Sequence, residues 1–394
     1  MINAENLKSQ FPIFRNIPGL VFLDNASTTQ KPQIVLDKLL DVYTKYNSNV
    51  HRGLYPIAVR ADEEYDLARK RIARLINADK DEIVFTSGTT DSTNLIAASL
   101  LASGIIPEGA NILTSEIEHH SNFLPWQNLT NGNLSFAKYE NGNLNYPTEQ
   151  AFDVVVFTIM SNVTGKYIDI EELRKGELKN AIFIADAAQA IAHVPIDVKK
   201  MDVDFLVFSG HKMFGPTGVG IVYGKKELLN KMQPFKLGGG MINKVSKENF
   251  TSTTGPQKFE AGTPPIADAI ALGEAVNFIE GIGFENIIPH EQNLRRYALN
   301  KLSQIKKIKI YHDDNDNSGA VISFTIYGIH PHDIAQYLGD NNICVRAGHH
   351  CTQILHKDVL QIPASVRVSM SIYNNENDID NLIEELNNCI AYYS

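Results

Sequence analysis

The chain has 394 residues with 45 acidic and 36 basic side chains, and its formal net charge of -9 argues against a nucleic-acid-binding surface. Hydrophobic residues make up 43% and charged residues 21%, the balance of a globular protein whose length allows two or three domains, and no apolar run is long enough to span a bilayer. Met1-Ile2-Asn3-Ala4-Glu5-Asn6 lacks the basic-then-apolar pattern of a signal peptide, and Cys344, Cys351 and Cys389 make no disulfide framework, so a cytoplasmic protein without a membrane partner is expected.

In chain order, residues 1–19 read as a short arm around Phe11-Pro12-Ile13-Phe14. Val21-Phe22-Leu23 is a short strand, and Asp24 to Ser27 turns out of it. Ile34, Val35, Leu39, Leu40 and Tyr43 have helical spacing, and a second amphipathic helix runs from about Ile57 to Ile76, with Leu67, Ile72, Leu75 and Ile76 as its core stripe. The polar loop around His51-Arg52-Gly53 separates the two. Glu82-Ile83-Val84-Phe85 is a strand, and Thr86-Ser87-Gly88-Thr89-Thr90 opens a helix near Asp91. A strand, a small-residue loop and a helix start can cradle an anion, although Ser and Thr also cap many ordinary helices. Asn111 to Thr114 is the next strand, followed by Glu118-His119-His120; Asn141-Gly142 marks a turn. Asp153 to Thr158, Ala181 to Asp186, Phe205 to Phe208 and Gly218 to Tyr223 are buried strands. Such strands alternating with helices predict an α/β fold, a mostly parallel sheet covered on both faces. The large domain is expected at 20–262. Thr263-Pro264-Pro265 breaks the chain, and a smaller C-terminal α+β domain follows at 263–394, with the arm packed on it.

Two of these strands carry chemistry. Phe205-Leu206-Val207-Phe208 and Gly218 to Tyr223 hold Lys212 on a glycine-rich loop, flanked by Ser209 and His211. A Schiff-base lysine needs a fixed amine, a dry approach and hydrogen-bond donors for a neighbouring anion. A surface lysine on a turn is the plain alternative. Asp186 ends the strand before Ala187-Ala188-Gln189, where ligands bind in open α/β sheets, although an Asp there also caps helices. A carboxylate at that place keeps a pyridine nitrogen protonated, and Gln189 can donate to the ring's phenolic oxygen. Lysine and acid together point to pyridoxal phosphate.

The ordered set Leu23-Asp24-Asn25-Ala26, Val50-His51-Arg52-Gly53, Gly88-Thr89-Thr90, Glu118 to Asn122, Ser161 to Gly165, Asp186 to Gln189, Ser209 to Lys212, Phe259 to Pro264 and Val345 to Cys351 resembles the class V aminotransferase-fold enzymes, and among them the SufS-type (type II) cysteine desulfurases. The resemblance implies the pyridoxal-phosphate-dependent transferase fold, fold type I, aspartate aminotransferase-like. It places Thr89, Thr90, Ser209 and His211 on the cofactor phosphate, His119 over the pyridine face and Asn162 at the phenolic oxygen or the substrate carboxylate. It gives Arg367 to the substrate carboxylate, and Arg346, Ala26 and His51 to the same pocket. It further implies a homodimer in which Thr263 reaches the phosphate of the other subunit, where a domain hinge also explains Thr263-Pro264-Pro265. Segments 144–151 and 171–180 are short for the family, which predicts trimmed peripheral helices.

The segment specific for sulfur chemistry is Arg346-Ala347-Gly348-His349-His350-Cys351, a loop thiol beside imidazoles. Zinc at Cys351, its two histidines, Cys344 and His356 fits no common ligand spacing, and Cys344 alternates into a core strand while Cys389 reads as packing. A buried Arg367 needs a carboxylate, supplied by substrate or by an internal Asp or Glu. The implied reaction is desulfuration of L-cysteine to L-alanine, with Lys212 moving the α-proton and sulfur passing through Cys351 to an acceptor for iron–sulfur cluster assembly or another sulfur transfer. Selenocysteine lyase, with L-selenocysteine as substrate, and a generic class V aminotransferase remain alternatives, as does a non-catalytic scaffold, against which Lys212, Asp186 and Arg367 argue.

Overall fold

Unbroken apolar runs can only be buried on both sides, and that is how the chain uses them. Ile83–Thr86, Ile112–Ser115, Val154–Thr158, Ile182–Asp186, Phe205–Ser209 and Gly220–Gly224 are almost wholly buried strands of one eight-stranded sheet, completed by Leu134–Glu140 and Asn143–Asn145. The computed structural model describes residues 2–129, 133–140, 142–176, 178–311 and 317–393. Named by first residue, the strand order is Ile83, Gly220, Phe205, Ile182, Val154, Ile112, Leu134, Asn143. The five strands from Phe205–Ser209 to Leu134–Glu140 are mutually parallel, while Gly220–Gly224 runs against both its neighbours.

Side chains alternate across the sheet, so one strand feeds two cores. Val155 and Phe157 pack under the helices Gln33–Lys45, Pro56–Leu75 and Ile266–Ile282. Val154 and Val156 pack under Thr89–Ala102 and His120–Leu129. A third core lies around an antiparallel sheet of Ile308–Tyr311, Val321–Ile326, Ser365–Ser369 and Arg346–Gly348, backed by Phe284–Ser303, Pro331–Asp340 and Glu376–Tyr392. Val21–Phe22 pairs in parallel with Ile343–Cys344 beside this third core. The arm touches both parts: Lys8 makes an ion pair with Asp378 at 2.8 Å, while the Phe11 ring sits against Phe214, Phe278 and Tyr373.

One expectation about a helix face fails. Leu67, assigned to a core stripe, is exposed, and so are Ile34, Leu40 and Tyr43; the buried apolar residues of the first helix are Val35 and Val42. Helical spacing marks an apolar face without saying which neighbour covers it. Of the turn expected at Asn141-Gly142, Asn141 lies outside the described residues, and Gly142 has φ 79°. Among the described residues no helix is long and apolar enough to cross a membrane.

Because the central strands are parallel, their carboxyl ends lie along one edge, and the loops leaving them carry Thr89, His119, Asn162, Asp186 and Lys212 to one place.

Candidate active site

A short 3-10 turn, Gly210–Lys212, leaves the strand Phe205–Ser209 and brings Lys212 to a cavity of about 190 Å³. Burial pushes the Lys212 pKa down to about 8, against the pull of the Asp186 carboxylate. Asp186 ends the adjacent strand; its Oδ1 accepts the Ala188 amide at 2.8 Å, and burial raises its pKa. Lys212 and Asp186 thus come from the ends of neighbouring strands.

The anion cradle has a visible geometric cause. Thr86 pairs with Gly220, and a Cβ added at Gly220 would lie 2.4 Å from Gly88 Cα, so only glycine lets the two backbones close. Gly88 itself has φ 152°. Thr89 then begins its helix, with its amide donating to Ser209 Oγ at 2.8 Å and its hydroxyl 2.7 Å from the same oxygen. Thr90 and His211 line the cavity beside them, and burial pushes the His211 pKa down to about 4. These groups fit pyridoxal phosphate: helix-start amides and hydroxyls for the phosphate, a buried acid for the pyridine nitrogen, and a lysine amine.

His119 lines the same cavity. The Ser121 amide donates to its Nδ1 at 3.2 Å, so the neutral ring carries its proton on Nε2, and burial, with Lys212 next in weight, pushes its pKa down to about 3. Gln189 Nε2 donates to the Ala26 carbonyl at 2.8 Å, fixing Ala26 on the cavity wall. Asn162 gives its side-chain nitrogen to the His350 carbonyl at 2.7 Å and accepts from the Thr352 hydroxyl at 3.1 Å.

Arg346 and Arg367 are register partners on neighbouring strands and both line the cavity. Arg367 is 1% exposed and has its internal carboxylate: Nη2 reaches Asp24 at 3.0 Å and Ser27 Oγ at 2.9 Å, and Nη1 donates to the Asn162 carbonyl at 3.0 Å. Burial still lowers its pKa to about 10. Arg346 donates to Ser27 Oγ at 3.0 Å, and its Nη2 lies 3.8 Å from Cys351 Sγ. That contact ties the thiol to the Lys212 cavity. Cys351 and the preceding His350 both take left-handed backbone, φ 59° and 53°, at a cost of roughly 1–2 kcal/mol each.

Residues 21–382 match the family described as aminotransferase class-V. The chain belongs to that family. Within it, the chain is 42% identical to a probable cysteine desulfurase of Staphylococcus aureus over 398 residues, covering 98% of this chain and 96% of the relative. It is 40% identical to a probable cysteine desulfurase of Halalkalibacterium halodurans over 406 residues, covering 100% and 99%. The apo structure of a cysteine desulfurase from Thermococcus onnurineus NA1 superposes with TM-score 0.91 at 34% identity, covering 100% and 99% of the two chains. The Escherichia coli cysteine desulfurase CsdA, in an S-sulfonic acid form, gives 0.90 at 31%, with the same coverage.

In this class V chain three expected site residues are not among those lining the cavity: Cys351, which reaches it through Arg346, and Thr263 and His51, which stand apart from it. Thr263 is exposed and accepts from Asn49 Nδ2 at 3.4 Å. His51 is exposed, with Nδ1 3.8 Å from Asp62, and lines a separate, larger hollow with Tyr65 and Arg69. The structure also adds residues that the sequence did not single out. Glu118, behind His119, is buried and accepts from Ser115 Oγ and Asn122 Nδ2, and burial pushes its pKa up to about 7. An acid three residues past the strand end Ser115 was the available signal. Lys31 donates to the His211 carbonyl at 2.9 Å from behind the lysine turn, and burial lowers its pKa to about 7.

Proposed function

We propose that this chain is a pyridoxal-phosphate-dependent cysteine desulfurase that converts L-cysteine to L-alanine and carries the sulfur away on Cys351. What supports this most directly is the Cys351 thiol held at Arg346, which lines one cavity with Lys212, Asp186 and Arg367. A transaminase has no use for a thiol at that place.

Thr89, Thr90, Ser209 and His211 would hold the cofactor phosphate, Asp186 its ring nitrogen and Lys212 its aldehyde carbon. When bound, pyridoxal phosphate supplies an electron sink for the pair left at the substrate α-carbon. Arg367, with Arg346 beside it, takes the substrate carboxylate and orients the amino acid. The Lys212 amine, with its pKa near 8, removes the α-proton and can return it. His119, neutral with its proton on Nε2 and lining the cavity, would move protons there during the reaction. The Cys351 thiolate attacks the substrate sulfur; an S–S bond forms, the C–S bond breaks, and its electron pair returns to carbon. Cys351 thiol plus cysteine therefore gives Cys351 persulfide plus alanine, with no external oxidant. A sulfur-acceptor protein or a thiol reductant then regenerates Cys351.

The working unit we propose is a homodimer. Thr263 and His51 lie outside the cavity of their own chain, and Leu54, Tyr55, Ile57 and Val59 beside His51 are exposed apolar residues of a kind that a second copy covers. The reading assigns Thr263 to the phosphate of the other subunit, and His51 likewise to a composite pocket. Three unpaired cysteines suit the reducing cytoplasm, where we place the reaction. The test is product analysis of the purified holoenzyme with L-cysteine and a thiol reductant. Equal amounts of alanine and sulfide are expected, and neither product would defeat the proposal.

A further inference from the structure

The turn carrying Cys351 is held by two side-chain clamps that never touch the thiol. Asn162 forms the first. It grips the turn on both sides of Cys351, through the His350 carbonyl and the Thr352 hydroxyl, and all of these residues are buried except Cys351 itself, which is half-buried. The second clamp starts at the Thr352 carbonyl, 3.0 Å from His356 Nδ1. A carbonyl only accepts, so His356 carries its proton on Nδ1, and its Nε2 accepts from Ser365 Oγ at 3.0 Å. With its hydrogen committed there, Ser365 Oγ accepts in turn from His350 Nε2, also at 3.0 Å. His350 is thereby fixed as the Nε2–H tautomer; its buried Nδ1 has no hydrogen-bond partner, and the ring lies on the cavity wall.

Both clamps act on consecutive left-handed residues, a shape that an unrestrained His350-Cys351 would leave. Asn162 also accepts Arg367 Nη1 on its own carbonyl, so one residue ties the thiol turn and the carboxylate-binding guanidinium into one frame.

We propose that Thr352 and Ser365, acting through Asn162 and His350, are positioning residues that aim the Cys351 thiol into the Lys212 cavity. This rests on the desulfurase reading, because only sulfur transfer needs the thiol aimed. Thr352→Val is nearly isosteric and removes only the hydroxyl's hydrogen bonds, whereas Thr352→Ser keeps them. Neither Thr352 nor Ser365 lines the cavity.

The experiment compares the holoenzymes of the wild type and both Thr352 variants. Alanine release from L-cysteine is measured together with amide hydrogen exchange of the peptide spanning residues 349–353. In Thr352→Val, kcat should fall on the order of tenfold to a hundredfold, the scale of a misplacement of about 1 Å, while KM stays within about twofold and exchange of the turn accelerates. Thr352→Ser should match the wild type within about twofold in all three readouts. Should Thr352→Val not fold, Ser365→Ala is read in the same way. Wild-type kcat and exchange in Thr352→Val, or a Thr352→Ser as impaired as Thr352→Val, would overturn the proposal. A wild type that releases no alanine would sink the desulfurase reading instead, and the exchange comparison would still decide whether the clamp exists.

Discussion

Replacing Gly220 by alanine tests how tightly the proposed phosphate cradle is built. The new Cβ would meet Gly88 Cα at 2.4 Å and Gly88 N and C at 2.7 Å, all backbone atoms that cannot rotate away. Ordinary van der Waals contact begins near 3.5 Å, so the two strands must part by about 1 Å. Thr89 would then draw away from Ser209, breaking contacts of 2.7 and 2.8 Å that set the helix start. Overpacking of this kind costs about 1–3 kcal/mol. If that strain falls on the cradle, the Kd for pyridoxal phosphate rises roughly fivefold to over a hundredfold, at about 1.4 kcal/mol per tenfold. Titration of the apoprotein with pyridoxal phosphate, followed by absorbance, measures this. Gly218→Ala is the control: φ is +76° there but nothing lies within 4 Å, so it carries backbone strain without intruding on the cradle, and its Kd should stay near wild type. Wild-type affinity in Gly220→Ala, or an equal loss in Gly218→Ala, would refute the reasoning.

Three further outcomes are expected. Burial lowers the Lys212 pKa to about 8 by disfavouring the ammonium form, so capture of pyridoxal phosphate by the apoprotein, trapped with borohydride, should accelerate as pH rises and level off above about 8; peptide mapping should place the label on Lys212, and a label on another lysine would count against the site. Cys351→Ala should nearly abolish alanine release from cysteine, leave the Lys212 label intact and impair selenocysteine turnover much less, because selenium departs more readily; equal loss on both substrates would mean that Cys351 supports the pocket rather than the chemistry. Arg69 and Glu260 form a buried pair at 2.8 Å, with Glu260 also accepting the Phe85 amide at 2.8 Å, so Arg69→Met should cost about 3–5 kcal/mol in denaturant unfolding by stranding a buried carboxylate, and a loss under about 1 kcal/mol would contradict that.

The parts of the site legible in the sequence are those whose physics is local. Lys212 and Asp186 stand at the ends of apolar strands, and a parallel sheet delivers such ends to one edge. Gly88-Thr89-Thr90 was readable for the same reason. What stayed hidden depends on partners far away in the chain. Asn162 was expected at the cofactor or substrate and lines the cavity, but nothing in Ser161-Asn162-Val163 says that its amide also grips a turn 190 residues on. Val21-Phe22 reads as a strand, but not as one paired with Ile343–Cys344. The exposed stripe of Leu36, Leu40 and Tyr43 has the spacing of a core stripe, because periodicity cannot tell a face that the chain covers from one left for another molecule. Arg367 shows how two readings can both hold: it has its internal partner in Asp24, yet it still lines the cavity where a carboxylate would sit.

The central claim is that sulfur leaves cysteine on Cys351. The most direct measurement is mass spectrometry of the Cys351 peptide after a brief exposure of the holoenzyme to L-cysteine without reductant, with alanine quantified in the same sample. The account predicts that Cys351 gains the mass of one sulfur atom, matched by one alanine per persulfide formed. Alanine accumulating while the Cys351 peptide keeps its original mass would contradict it.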